Sequence, residues 1–320
     1  MRAKEFIIEG GWVDVQTQGT VITPALTAKV MKTLLSNFIP SLNKFLVTKG
    51  LGETEISSPG GSATYYKRDL EQDPTREYGD IDVQFHIPKM PNISDAQNET
   101  VYKEAIKEFC QRDPNYSTKN GVNLILSLGS GKFVQIDLIF SYFDNKQWIQ
   151  TLVPEYRVKG VLCNSLYSAL GEALNISFGG GRGIQVKTKN GEVVPFRTMK
   201  DVVLRTITND PKNWAIDIVQ YFGAKNISPQ LKKYPGTLDE VRVADIIQSF
   251  KGIAETLEVS GKIQSAQELL GQVKSIYLAK IEKAAASSKF DKVASPEAAA
   301  KAEKTKQMLL TKSQEFATLF

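Results

Sequence analysis

The spacing of apolar side chains changes several times along the chain, and each spacing predicts a different element. Residues 22–46 carry apolar side chains at helical spacing, and Thr23-Pro24 places a hydroxyl and a proline at the expected start of that helix. Residues 98–112 repeat the helical spacing. Residues 81–87 alternate between apolar and polar side chains, which is typical of a strand. The first part of the chain is therefore expected to mix helices and strands.

Two apolar runs on either side of a glycine-rich turn predict a β-hairpin. The runs are residues 122–128 and 133–140, and Gly129-Ser130-Gly131 lies between them. Two polar stretches earlier in the chain, residues 57–62 and 67–77, indicate loops. We therefore expect the hairpin to supply two neighbouring strands and the polar stretches to connect elements.

Beyond residue 156 the pattern becomes mainly helical. A helix is predicted over residues 165–176, a small hairpin over residues 184–194, and a mostly helical chain from Thr198 onward. Thr237–Glu240 has the composition of a capping box, and Ser295-Pro296-Glu297 indicates another helix start.

These patterns predict three parts. Residues 1–21 are polar and contain glycine, so we expect an N-terminal arm. Residues 22–155 are expected to form a mixed α/β domain. Residues 156–320 are expected to form a mainly helical C-terminal domain that contains the small hairpin.

Composition places the chain among ordinary globular proteins. It has 320 residues, of which 42% are hydrophobic and 23% are charged, which excludes a disordered chain, a collagen-like chain and a disulfide-stapled miniprotein. No apolar run approaches the roughly 18 residues that a membrane span needs, and the first residues lack the apolar stretch of a secretory signal. Cys110 and Cys163 are expected to be reduced thiols. These features predict a cytoplasmic protein with no membrane partner.

Charge and histidine content narrow the chemistry further. The net charge is +5 and the sequence pI is near 8.9, which permits nucleic-acid or nucleotide partners without demanding them. The single histidine, His86, excludes a multi-histidine zinc site and argues against a Ser-His-Asp hydrolase. His86 shares its predicted strand and its face with Asp82, and we expect a structural role for it.

Three aspartates fall on predicted strands. Asp80 and Asp82 are two residues apart, so both carboxylates are expected to project from one face. Asp137 lies inside the second apolar run of the hairpin, where a carboxylate without a partner is costly to bury. If the strands pair, the carboxylates converge and repel one another, so they need a cation. Oxygen-only ligands suit Mg²⁺ or Mn²⁺, and two such ions can serve an in-line phosphoryl transfer.

A glycine-rich segment precedes the acidic strand. In Gly60-Gly61-Ser62 the glycines let the backbone approach a ligand closely, and the N–H groups and the serine hydroxyl can hold phosphate oxygens. Lys67 and Arg68 follow in the next polar stretch and are candidate phosphate contacts. The segment therefore predicts a phosphate-binding turn beside the carboxylates.

The order Gly-Gly-Ser, Tyr-Gly-Asp-Ile-Asp-Val and Val-Gln-Ile-Asp-Leu-Ile resembles the nucleotidyltransferase superfamily typified by DNA polymerase beta. Within it, the arrangement is most similar to the group of CCA-adding enzymes, poly(A) polymerases and oligoadenylate synthases. The resemblance covers about residues 55–145 and implies an α/β nucleotidyltransferase core, with a mixed sheet flanked by helices. The gap between Ser62 and Asp80 is longer than is usual in the family, and we interpret it as a loop insertion near the site.

The resemblance also implies roles for the site residues. Asp80 and Asp82 would bind two Mg²⁺ or Mn²⁺ ions, and Asp137 would complete the site where the acceptor hydroxyl attacks. Gly61 and Ser62 would hold the triphosphate of an NTP, for which ATP is our first expectation.

The implied reaction is metal-dependent transfer of a nucleoside monophosphate from an NTP to a hydroxyl, with release of pyrophosphate. The basic pI and the resemblance make an RNA 3′ end our first expectation for the acceptor. A synthase of a signalling nucleotide, or a nucleotidyl modifier of a protein or small molecule, would share the same carboxylates. A third alternative is a catalytically silent phage internal or structural protein of the same fold.

The first residues carry one further hint. Phe6-Ile7-Ile8-Glu9-Gly10 resembles the cleavage sites of prohead proteases in large tailed phages. The resemblance implies a phage-encoded protein that is packaged in the virion and delivered to the host cytoplasm.

Overall fold

A computed structural model gives the fold. It describes residues 20–78, 81–130, 132–143, 158, 160–179, 183–195, 198, 202–232, 241–287 and 296–320. The chain divides into two compact units, of which the first takes in Met1–Lys146 and Ser288–Glu303 and the second Gln147–Ser287 and Lys304–Phe320. The predicted arm up to residue 19 and the predicted domain boundary near residue 155 lie outside the described residues.

The first unit combines helices with a mixed sheet. Its helices and strands in chain order are α1 (Pro24–Thr33), α2 (Ile39–Thr48), β1 (Glu55–Pro59), α3 (Tyr66–Gln72), β2 (Ile81–Ile87), α4 (Asp95–Arg112), β3 (Tyr116–Thr118), β4 (Asn123–Gly129) and β5 (Lys132–Tyr142).

The first two helices are joined by a π-helical turn, Leu34–Phe38, in which the N–H of Ile39 bonds the carbonyl of Leu34. Pro40 lies at the start of α2 and has no N–H to donate, so the wide turn keeps the chain helical through a position that would break a regular ladder. At the other end, the hydroxyl of Thr23 accepts the N–H of Leu26 at 3.3 Å. The predicted helix over residues 22–46 is confirmed in this interrupted form.

The sheet of the first unit has the strand order β1-β2-β5-β4-β3. Strands β2 and β5 are parallel, and the other neighbouring pairs are antiparallel. The predicted strand over residues 81–87 and the predicted hairpin are both confirmed, and the hairpin turns through Gly129 and Ser130 with φ of +81° and +53°. The expectation of a mixed sheet is therefore correct.

The two faces of this sheet differ in polarity. The apolar residues of β2 all belong to one fully buried core cluster: Ile81, Val83, Phe85 and Ile87. That core takes in the aromatic rings of Phe38 on the π-helical turn and Phe109 on α4, whose centroids are 5.7 Å apart. Asp82, Gln84 and His86 alternate with the apolar residues and project from the opposite face. Asp82, one of the candidate carboxylates, therefore belongs to the polar face.

Two loop predictions are wrong. Residues 57–59 belong to β1, which pairs antiparallel with β2 along the edge of the sheet, and the chain then enters a 3₁₀ turn at Gly61–Ala63. Residues 67–72 of the expected loop insertion belong to α3. This helix buries Asp69, whose carboxylate accepts the hydroxyl of Tyr78 at 2.6 Å and the guanidinium of Arg76 at 3.2 Å. β1 depends on its partner strand β2, and α3 on the contacts of Asp69 with residues beyond the end of the helix; local composition reveals neither.

The second unit is mainly helical and contains a small sheet. Its elements in chain order are α5 (Gly160–Leu174), β6 (Ser177–Gly179), β7 (Gly183–Lys189), β8 (Glu192–Val193), β9 (Val203–Thr208), α6 (Trp214–Tyr221), α7 (Pro229–Lys232), α8 (Val243–Val259) and α9 (Ala266–Ala285). The residues of a last helix, α10 (Pro296–Ala317), are divided between the two units.

Strands β7 and β8 form the predicted small hairpin, which turns through Asn190 and Gly191 with φ of +53° and +86°. The expectation of a mostly helical chain from Thr198 is confirmed in the described residues, with one exception: β9 is a strand that pairs with β7. The predicted capping box at Thr237–Glu240 lies outside the described residues, and the next described helix, α8, begins at Val243. The core of this unit includes the rings of Tyr167 and Trp214, with centroids 5.6 Å apart.

Candidate functional site

Two aspartates stand side by side on the polar face of the first sheet. Asp82 on β2 is the register partner of Asp137 on β5, the neighbouring parallel strand. Both residues are partly buried. Partners on adjacent strands project from the same face about 5 Å apart, so the two carboxylates face the same space.

The surroundings of Asp82 disfavour its charge. Burial raises the pKa of the Asp82 carboxyl from 3.8 to about 6, and repulsion by the charge of Asp137 adds to the rise. No described residue donates a hydrogen bond to this carboxylate. A carboxylate in this condition is stabilised by a cation, and the two aspartates together offer oxygen ligands from two strands.

A glycine turn lies against Asp82. The N–H of Gly60 donates to the carbonyl of Asp82 at 2.7 Å, which ties the end of β1 to the start of β2. Gly61 follows with φ of +57°, and a Cβ at this position would lie within 3.0 Å of Oδ2 of Asp82. Only glycine combines this backbone conformation with this approach. The segment was predicted to approach a phosphate ligand; in the structure its backbone lies against the carboxylate of Asp82.

Asp137 is held by two side-chain amides. Its Oδ1 accepts Nδ2 of Asn123 and Nε2 of Gln135, both at 2.7 Å. Asn123 is the register partner of Asp137 on β4, and Gln135 precedes it by two residues on β5. Oε1 of Gln135 is buried and has no hydrogen-bond partner in the described part of the chain.

Asn123 and Gln135 were not among the predicted site residues, although the sequence contains a signal for both. A hairpin centred on Ser130 places residues 123 and 137 opposite each other, and residues 135 and 137 share a face.

The other predicted site residues are placed as follows. Asp80 lies outside the described residues, and so does the side chain of Ser62, whose backbone belongs to the 3₁₀ turn. Lys67 is exposed on α3, which begins just after that turn. The guanidinium of Arg68 lies over the ring of Tyr65, 5.2 Å from its centroid. The structure therefore brings Gly61, Asp82 and Asp137 together, with Lys67 and Arg68 on the helix that follows the turn.

His86 takes part in a buried hydrogen-bond network further along the polar face. Its Nδ1 lies 2.6 Å from Oγ of Ser141 on β5, and its Nε2 lies 3.0 Å from Oγ of Ser57 on β1. The hydroxyl of Ser57 donates in turn to Oε1 of Gln84 at 3.2 Å. The fully buried imidazole thus links the strands on both sides of β2, which agrees with the structural role expected for it.

The donor chemistry fits a magnesium or manganese ion. Asp82 and Asp137 offer carboxylate oxygens, and burial and the charge of Asp137 together raise the pKa of the Asp82 carboxyl. Within the described part of the chain no group of three His, Cys, Asp or Glu side chains comes together as a metal site. Asp80, the third predicted ligand, lies outside that part. Two of the predicted ligands are therefore placed together.

Comparison with known proteins identifies no family for this chain. No protein-family model matches the chain, and no curated protein matches it. None of the described helices is long and apolar enough to cross a membrane. The N-terminal segment Phe6–Gly10 lies outside the described residues.

Proposed function

We propose that this protein is a metal-dependent nucleotidyltransferase that transfers a nucleoside monophosphate from an NTP to a hydroxyl group and releases pyrophosphate. One observation carries the proposal: Asp82 and Asp137 are register partners on parallel strands, and the Gly60-Gly61 turn lies directly against Asp82. This juxtaposition matches the order of glycine turn, first carboxylate strand and second carboxylate strand in the sequence.

The carboxylates are the proposed metal ligands. Asp82 and Asp137, joined by Asp80 on the grounds of the resemblance, would hold Mg²⁺ or Mn²⁺. Such ions neutralise the charge that develops on the transferred phosphoryl group and on the attacking and leaving oxygens. The raised pKa of Asp82 supports this assignment, because a bound cation offsets both its burial and the repulsion by Asp137.

The glycine turn and α3 are the proposed phosphate contacts. The backbone at Gly60 and Gly61 can approach phosphate oxygens because neither residue has a side chain in the way. Lys67 is exposed and Arg68 is partly exposed, so both cations can meet solvent-borne anions. We propose ATP as the nucleotide and an RNA 3′ end as the acceptor, which the basic pI of 8.9 supports.

The proposal is tested with purified protein, each of the four α-labelled NTPs, Mg²⁺ or Mn²⁺, and RNA that ends in a 3′ hydroxyl. Wild-type protein is expected to transfer label to RNA. Asp82→Asn and Asp137→Asn keep the size of the side chain but lose the charge, and we expect each to lower kcat by at least about a hundredfold. Asp217→Asn is the matched control, because Asp217 is a partly buried aspartate on α6 in the second unit.

The outcomes separate the alternatives. Transfer that requires Asp82 and Asp137 but not Asp217 supports the proposal. Release of pyrophosphate without labelled RNA keeps the reaction and moves the acceptor to a protein, a small molecule or a second nucleotide. Absence of turnover with every NTP would overturn the proposal and favour a catalytically silent protein.

A further inference from the structure

Oδ1 of Asp137 is occupied by protein donors on two sides. Asn123 reaches it from the neighbouring strand β4, and Gln135 reaches it along β5, each at 2.7 Å. Hydrogen bonds from both directions at one oxygen fix the rotation of the carboxylate, which is otherwise a broad torsion in aspartate. The second oxygen, Oδ2, accepts no hydrogen bond from the described residues.

We propose that Asn123 and Gln135 are positioning residues that fix Asp137 and leave Oδ2 as the oxygen that meets the metal ion. We call the two side chains the amide clamp. The inference rests on the proposed function and deepens it, because it names the groups that orient one of the proposed metal ligands.

The orientation of each amide in the clamp follows from its neighbours. Oδ1 of Asn123 accepts Nδ2 of Asn120, so the nitrogen of Asn123 is the atom left to face Asp137. In Gln135 the reverse orientation would set a carbonyl oxygen against the carboxylate, which is repulsive. Both amides can therefore serve Asp137 only as donors.

Gln135 is an unfavourable choice for stability alone. The residue is only 4% exposed, and its Oε1 is buried without a hydrogen-bond partner among the described residues. A buried acceptor that has lost water without gaining a donor destabilises the folded state. An apolar side chain of the same length would avoid that loss. What the carboxamide adds at this position is the bond from Nε2 to Asp137.

The neighbouring Gln84 gives a matched comparison. It also lies on the polar face, is 3% exposed, and has a side-chain hydrogen bond, but its partner is the hydroxyl of Ser57. Gln84→Met and Gln135→Met therefore make the same substitution in similar surroundings. Only the second removes a donor from a proposed metal ligand.

The experiment measures three quantities in each variant: the melting temperature, the affinity for Mn²⁺ by electron paramagnetic resonance, and kcat and KM with ATP and RNA. For Gln135→Met we expect a melting temperature at or above that of wild type, an Mn²⁺ affinity and a kcat each lowered about tenfold or more, and a KM for ATP within about twofold. Asn123→Leu is expected to weaken Mn²⁺ binding and kcat in the same way. Gln84→Met should leave Mn²⁺ affinity and kcat within about twofold of wild type.

Wild-type Mn²⁺ affinity and kcat in Gln135→Met would overturn the inference. So would the absence of Mn²⁺ binding by wild type, or losses no larger than those of Gln84→Met. The experiment distinguishes failure of the proposed function from failure of the amide clamp. If wild type transfers no nucleotide but binds Mn²⁺, and Gln135→Met weakens that binding, the result supports the amide clamp and contradicts the proposed activity. If wild type transfers nucleotide, and Mn²⁺ affinity and kcat are unchanged in Gln135→Met, the result supports the proposed activity and contradicts the amide clamp.

Discussion

The backbone of Gly61 lies against the carboxylate of Asp82, so closely that a Cβ on Gly61 would fall within 3.0 Å of Oδ2. Gly61 also has a φ of +57°, a conformation that other residues adopt only at a cost. A side chain on Gly61 would therefore displace either the 3₁₀ turn or the Asp82 carboxylate.

We expect Gly61→Ala to lower kcat by about a hundredfold or more, because the added methyl group must displace the Asp82 carboxylate or the turn. Steady-state kinetics with ATP and RNA measures the effect. Gly50→Ala is the control, since Gly50 has a φ of +71° but no atom within 4 Å of its would-be Cβ. Both variants should lose about 1 kcal/mol of stability to the backbone conformation. Equal activity in the two variants would contradict the role assigned to the contact.

The raised pKa of Asp82 predicts an unusual dependence of stability on pH. Because folding raises this pKa from 3.8 to about 6, the folded chain holds a proton near pH 5 that the unfolded chain has released. Without metal, the contribution of Asp82 to the free energy of unfolding should therefore fall as pH rises from about 4 to about 7, by roughly 1–3 kcal/mol after solvent screening is allowed for. Denaturant titrations across this range check the direction.

Asp82→Asn isolates that contribution, because the amide does not titrate and the other groups still do. The difference between wild type and Asp82→Asn should change with pH between about 4 and 7. If the site binds a divalent cation as proposed, the cation should reverse the trend, because it binds the ionised carboxylates. Mg²⁺ should raise the melting temperature of wild type more at pH 7.5 than at pH 5, and should have little effect on Asp82→Asn. A metal effect that is the same at both pH values would count against binding at this site.

Much of the site could be predicted from local pattern. Alternation over residues 81–87 gives β2, and the turn at Gly129 and Ser130 fixes the hairpin register that sets Asn123 opposite Asp137. Because alternate residues of a strand share a face, Asp82 and Asp137 are then placed among the polar residues of their strands. These inferences succeed because the spacing of apolar side chains and the position of a turn are both determined within short segments.

The remaining elements depend on contacts that a local pattern does not contain. β1 and β9 are short or exposed, and each exists through pairing with a longer strand, so their composition alone indicated a loop and a helical region. α3 has a polar sequence, and its buried Asp69 accepts hydrogen bonds from Arg76 and Tyr78, which lie beyond the end of the helix. These elements therefore depend on contacts outside their own segments.

The contact between Tyr78 and Asp69 is expected to stabilise the segment that leads into β2. The Tyr78 hydroxyl donates to the fully buried Asp69 carboxylate at 2.6 Å. Tyr78→Phe removes the donor, and we expect a loss of about 2 kcal/mol in the free energy of unfolding, measured by urea denaturation. Tyr66→Phe on α3 is the control, because no described residue bonds the Tyr66 hydroxyl, and its effect should stay within about 0.5 kcal/mol. Similar losses in both variants would show that the hydrogen bond contributes little.

The cations of α3 are expected to affect nucleotide binding more than turnover. Arg68 lies over the ring of Tyr65, 5.2 Å from its centroid, and Lys67 beside it is exposed. If both meet the triphosphate, Lys67→Ala and Arg68→Ala should each raise the KM for ATP about three- to tenfold and change kcat by less than about threefold. The effects should shrink as ionic strength rises, because exposed charges are screened by salt.

Lys119→Ala tests whether such an effect is local. Lys119 is also exposed, but it follows β3 at the sheet edge opposite β1. General attraction of the basic protein for ATP would give the same small rise in KM for all three variants. A rise confined to Lys67→Ala and Arg68→Ala requires the triphosphate to lie near α3. Arg68→Lys should fall between wild type and Arg68→Ala, because lysine keeps the charge but lacks the planar group that can stack on Tyr65 and bond two phosphate oxygens at once.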